Sequence, residues 1–273
     1  MAVIIATGFT GTTYPMKNGR ICWNWYQDGT PAATGSATGF PASNALPVRT
    51  DNACRPDAAT GTWTLDYPSA RNVSFIGIAK HDLGTQNTTI SIEYSSGGAW
   101  QAFAGASAIS PADDAPILFL APVTSVDGVR VVISAADAAP TISVIMVGLA
   151  DEWPRPFVWT GQPITEGDRI TFDNTIAVTG NWLGRSRVSD GLQFDVTMQH
   201  ASEAWRQTTL KDFKSYANGA DAAFFIALRP DDYPEEVAYA WATGVVRAAR
   251  EMSNNALSTT VSMTLQGLRP QGG

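Results

Sequence analysis

Histidine and cysteine are scarce in this sequence, with two of each among 273 residues. That scarcity removes most catalytic and metal-binding constellations. His81 and His200 are too few for a multi-histidine zinc site, and neither an HExxH nor a Cys-x-x-Cys motif occurs. Cys22 and Cys54 allow at most one disulfide, and the expectation is two buried thiols. Charge is scarce too. Only 16% of residues are charged and the net charge is −7, so there is no basic patch of the kind that nucleic-acid phosphates need. No apolar run approaches the roughly 18 residues of a membrane span. The opening, MAVIIATGFTGTTYP, lacks a basic segment and reads as a strand, not a signal peptide, which predicts assembly in the cytoplasm.

The place of charge is taken by small polar residues and by nine tryptophans. Interface cores are depleted in charge and enriched in aromatics, so this composition suits a subunit covered by its neighbours. A sandwich with an aromatic-lined loop gives the same count.

Apolar residues recur as short strand-like runs about ten residues apart, at 62–67, 73–78, 89–94, 117–120, 129–133 and 142–147. Glycine, proline and aspartate turns separate them, and no helix intervenes, which predicts a β-sandwich. The segment Trp153-Pro154-Arg155-Pro156 breaks the pattern, because two prolines in three residues hold the chain extended. Beyond it lie an alternating strand at 192–198, one helix over 201–217 with Trp205, Thr209, Phe213 and Tyr216 on one face, and strands at 222–228, 237–241 and 256–268. The organisation read from this is a strand segment at 1–33 that packs with the C-terminal half, a β-sandwich at 34–150, and an α+β domain at 151–273. The fold class is mainly β.

Few residues invite chemistry. The Gly/Thr-rich run 8–13 lacks the lysine of a phosphate loop and reads as a turn. The carboxylate pairs Asp113-Asp114, Asp231-Asp232 and Glu235-Glu236 read as solvated turns, since neighbours on a loop do not face each other across a sugar. Asp113-Asp114 has the oxygen chemistry for Ca²⁺, but the solvated turn is the better account. No catalytic residue, cofactor or metal site is predicted, and the chain reads as a non-enzyme. Trp23, Trp25 and Tyr26 are the aromatic candidates. Alternation places Trp23 and Trp25 on one strand face, where they would bind a sugar ring or a neighbouring subunit, or seal an internal domain seam.

From Phe40 to about Val147 the sequence resembles the discoidin (F5/8 type C) family. The matching residues are Phe40-Pro41-Ala42-Ser43-Asn44-Ala45-Leu46, Trp63, Ile76-Gly77-Ile78 with His81-Asp82-Leu83-Gly84, Ile90-Ser91-Ile92-Glu93-Tyr94-Ser95 with Gly97-Gly98 and Trp100, and Val129-Arg130-Val131-Val132-Ile133. The cysteine pair that ties the ends of many members is absent. The resemblance implies a jelly-roll-like sandwich with recognition loops at one end, and it makes His81, Asp82 and Trp100 candidate ligand residues for a glycan or a lipid headgroup. The C-terminal half looks like the tail-tube-type module of long-tailed phages, by pattern and without a diagnostic motif. That likeness implies a virion protein at the distal tail or tail tip. It would form a homo-oligomeric ring, a hexamer favoured over a trimer, that meets the tube and hub proteins and carries the sandwich at its periphery. A stand-alone carbohydrate-binding module is the alternative reading, and a glycan-active hydrolase ranks last.

Overall fold

Successive residues of the central strands feed different cores, and this alternation organises the molecule. The computed structural model describes residues 3–158, 163–176, 178–179, 181–253 and 256–268. Its first half holds β1 (Val3–Ile5), β2 (Arg20–Trp25), β3 (Thr30–Ala33), β4 (Gly61–His81), β5 (Thr89–Ser96), β6 (Ala99–Ala102), β7 (Ile117–Ala135) and β8 (Ile142–Glu152). The second holds β9 (Asp168–Ile176), β10 (Trp182–Ser202), β11 (Ala223–Ala227), β12 (Val237–Ala242), β13 (Arg247–Ser253) and β14 (Ala256–Gly267). One helix separates β10 from β11. The protein is mainly β, and an antiparallel sandwich forms its first half.

The runs at 62–67 and 73–78 are not two strands but the two ends of β4, and those at 117–120 and 129–133 are the two ends of β7. Register shifts between Asp66 and Arg71 and between Val73 and Phe75 carry the pair around a corner. One sheet therefore contains β3, the first part of β4, the last part of β7, β5 and β6. The other contains β1, the first part of β7, the last part of β4, β8 and β2. Trp63, Leu65, Ile90, Ile92, Val129 and Val131 meet Ile76, Ile78, Phe119, Ile145 and Val147 between them.

The opposite face of the second sheet is not exposed. Phe75, Leu118, Leu120, Val144 and Met146 pack on Cys22, Phe225, Ala227, Val237 and Tyr239. Gly77 sits at this contact, where an added Cβ would lie 2.3 Å from the Phe225 ring. The far face of β11 and β12 carries Phe224, Ile226, Ala238 and Ala240 against the helix residues Leu210 and Phe213, with Trp153 and Phe157 alongside. Covered on both faces, β11 reads as an unbroken apolar run. Each large apolar side chain buried here contributes roughly 1.5–3 kcal/mol, so the seam between the halves is itself a core. The sandwich thus shares a core with the C-terminal half.

Residues 1–33 do not pack as one segment of the C-terminal half. β1 pairs with β7 and β3 with β4, both in the sandwich, while β2 lies between β8 and β11 and joins the two halves into one sheet.

The helix comprises Glu203–Trp205, a π-helical turn at Arg206–Leu210, and Lys211–Ala217. Ser202 caps it, its hydroxyl accepting from the Trp205 N–H at 3.2 Å. The π turn inserts an extra residue, so the buried face is Trp205, Leu210, Phe213 and Ala217. Thr209 and Tyr216, expected on that face, are only half-buried. No helix among the described residues is long and apolar enough to cross a membrane.

Candidate functional site

Trp23 and Trp25 point to opposite faces of β2. The pairing of β2 with β8 shifts register between Ile21 and Asn24, and one extra residue reverses the alternation beyond it. Trp23 joins the helix core, with its ring centroid 5.3 Å from Tyr216 and 6.2 Å from Phe213, and donates its indole N–H to Asp151 Oδ2. Trp25 packs at the edge of the seam between the halves. Tyr26 turns to the sandwich, where it lies edge-on to Tyr67 at 5.7 Å and donates its hydroxyl to Asn72 O at 2.7 Å. The three aromatics form no shared stacking surface and are divided among three cores.

His81 and Asp82 do come together, at the loop end of the sandwich. They line a cleft of about 310 Å³ with Lys80, Asp51, Asp114 and Thr141. His81 is buried, with Nε2 2.9 Å from Ala115 O and Nδ1 accepting from the Leu83 N–H at 3.3 Å. Burial pushes its pKa down, so it is a neutral pin between two loops. Asp82 accepts the Thr141 N–H at 2.6 Å. Asp114 accepts the Gly84 and Thr85 N–H groups at 2.9 and 3.0 Å and the Thr85 hydroxyl at 2.6 Å, which ties the loop across the cleft floor. Trp100 is elsewhere. It pairs opposite Ser95 at the far end of β5, and the Arg130 guanidinium lies 4.5 Å from its ring while paired to Glu93 at 2.6 Å.

A third feature escaped the sequence reading. β10 pairs with β14 only from Leu192 onward, whereas β9 pairs with the preceding stretch of β10 from Trp182 to Leu192. These two strands therefore run past the end of β14 as a ribbon. Val178, Trp182 and Leu183 are exposed towards its tip, Trp182 at 67%. At the other end of the β10–β14 ladder, the β13–β14 hairpin exposes Met252, at 76%, and Leu257. Among the described residues, both β9 and β13 lie at free edges of the sheet.

A fourth feature lies where β4 leaves the second sheet and opens a gap between β7 and β8. This cleft, about 410 Å³, is lined by Phe9, Leu120, Val123, Asp151, Trp205 and Thr209 among others. Glu152 closes one wall by accepting the N–H groups of Thr12, Thr13 and Tyr14 at 2.8, 2.6 and 2.9 Å. The Gly/Thr-rich run thus wraps a carboxylate of its own chain. Buried Arg20 lies 3.5 Å from Glu152 and donates to Tyr14 O at 2.7 Å. Burial opposes ionisation of Glu152, but these donors and Arg20 hold its pKa below the usual carboxylate value. Asp151 has no such help. Burial pushes it up to about 6, against the single donor Trp23, and Asp212 on the helix adds repulsion.

No protein-family model matches this chain, and no curated protein matches it. Among solved structures, it is similar to the family 32 CBM from C. perfringens NanJ in complex with galactose, at 14% identity and a TM-score of 0.41, over 48% of this chain and 99% of that one. A pectin binding carbohydrate binding module is similar at 17% identity and a TM-score of 0.40, over 45% of this chain and 91% of that one. A putative alpha-L-fucosidase from Bacteroides thetaiotaomicron is similar at 16% identity and a TM-score of 0.39, over 47% of this chain and 28% of that one.

Proposed function

We propose that this chain is a non-enzymatic structural subunit that closes a homo-oligomeric ring, and that its setting is the distal end of a phage tail. The observation that carries this reading is the β9–β10 ribbon. About ten residues of each strand extend beyond the sheet, a reach of roughly 30 Å at about 3.4 Å per residue. A lone two-stranded ribbon is marginal in water, and an uncovered edge invites pairing with another chain. Its apolar tip and the exposed Met252 and Leu257 of the β13–β14 hairpin stand at opposite ends of one ladder. A contact between two different patches is heterologous, and such contacts close into rings when the rotation permits. A hexamer is favoured over a trimer, with tube and hub proteins as the further partners and the virion tail as the location.

Mass photometry and negative-stain electron microscopy of the purified chain test this. Rings are expected, and Trp182→Glu with Leu183→Glu is expected to yield monomers of unchanged circular dichroism. A wild-type chain that stays monomeric at tens of micromolar, alone and with tail partners, would sink the reading.

The loop-end cleft favours a second reading, a carbohydrate-binding module. Its polar groups converge in a concave site on loops held by a rigid sandwich, the usual setting for recognition. A glycan array on the monomer tests it, with loss of any signal expected on filling the cleft by Thr141→Trp.

A further inference from the structure

The gap between β7 and β8 holds an arrangement that neither ring assembly nor the loop-end cleft uses. Asp151 stands in its wall with one oxygen taken by the Trp23 indole, and no cation pairs with it among the described residues. Arg20, which lines the same cleft, is committed to Glu152 and to backbone carbonyls. Phe9 and Trp205 supply aromatic surface, and Leu120 and Val123 add apolar surface beside the polar Asn24, Ser74 and Thr209. The Trp205 indole N–H is itself buried without a partner.

We propose that this cleft binds an organic cation, an alkylammonium or guanidinium group, with Asp151 as its counter-ion and Phe9 and Trp205 as its aromatic walls. The chemistry follows from what the cleft lacks. Arg20 and Glu152 cancel each other, so Asp151 leaves the site with one uncompensated negative charge. Cations are drawn both to such a carboxylate and to aromatic faces, and the attraction strengthens where water is scarce. An anion would meet Asp151, Glu152 and, from the helix, Asp212. A neutral apolar group would leave the carboxylate buried and unpaired.

Because the cation needs ionised Asp151, binding weakens as pH falls through about 6. The groups facing Asp151 are Trp23 and Cys22 from β2, Arg20 and Glu152 beside it, and Asp212 from the helix. Burial holds the Cys22 thiol well above its ordinary value and the backbone donors hold Glu152 below its own, so neither of these shares the titration of Asp151.

The test is an indole ¹⁵N–¹H titration of the full chain with n-butylammonium and ethylguanidinium, and with n-butanol as the neutral control. Saturable shifts of the Trp23 and Trp205 signals are expected for the cations at pH 7.5, with at least tenfold weaker binding at pH 5. Asp151→Asn, which keeps the volume and an acceptor for Trp23, is expected to lose binding by a similar factor. Phe9→Leu is expected to weaken it severalfold while the indole dispersion stays native. Repeating the titration with a lysine- or arginine-bearing tripeptide separates a free amine from a protein side chain as the source. Equal shifts with n-butanol, no shift at tens of millimolar cation, or full binding by Asp151→Asn would each overturn the proposal.

Discussion

Asp151 shows how one side chain couples burial to pH. Its carboxyl is raised from an ordinary 3.8 to about 6 because burial disfavours the charge. In that window the folded chain holds a proton that the unfolded chain has released. The stability it contributes is therefore complete below about pH 4 and lost as pH rises through 6. Two pH units correspond to roughly 3 kcal/mol, and partial exposure reduces this to about 2 kcal/mol at pH 7. Thermal melts of wild type and Asp151→Asn should coincide near pH 4, and the variant should melt several degrees higher at pH 7. Melts that run parallel across the range would show that Asp151 is not the titrating group. The thiols give a second check. Cys22 and Cys54 are free and buried, and burial pushes Cys54 up to about 12 and Cys22 well above its ordinary value. Neither should react with a disulfide reagent until the chain unfolds.

At the scale of elements, the informative position is Gly77 on β4. Its neighbours Ile76 and Ile78 face the sandwich core, while Gly77 leaves room for Phe225 from the other half. Gly77→Ala is expected to cost about 1–3 kcal/mol by overpacking. Denaturant melts should show one transition moved to lower midpoint, because both halves share that contact. Two separated transitions in the variant would mean that the seam is weaker than its packing implies. Much of this level was legible beforehand. Alternation at 89–94 and 237–241 marked real strands, and the continuous run at 222–228 marked β11. What alternation does not encode is where a strand bends or skips. The corner in β4, the bulge that turns Trp23 away from Trp25, and the π turn at Arg206–Leu210 each shift the period by a residue or more.

For the whole molecule, His81 and Asp82 line one cleft, while Trp100 lies at the other end of the sandwich. The cleft holding Asp151 was out of reach of sequence reasoning, since it draws on residues near 9, 120, 151 and 205 that only the fold assembles. The fold also predicts how the chain resists cutting. With the seam packed as a core, limited proteolysis should trim the β9–β10 ribbon first and leave the remainder intact. Cleavage near 153–158 that releases two stable halves would contradict the shared core.

The strand that joins the halves has a consequence for synthesis. β2 is made early, yet its partners β8 and β11 lie at about the middle and in the last quarter of the chain. Until both have left the ribosome, an apolar strand with two open edges waits unpaired. Such long-range pairing makes folding slow and leaves the nascent chain sticky. Expression should thus be limited by this interval of waiting, and a permuted gene that places residues 20–25 next to β11 should give more soluble protein at the same final stability.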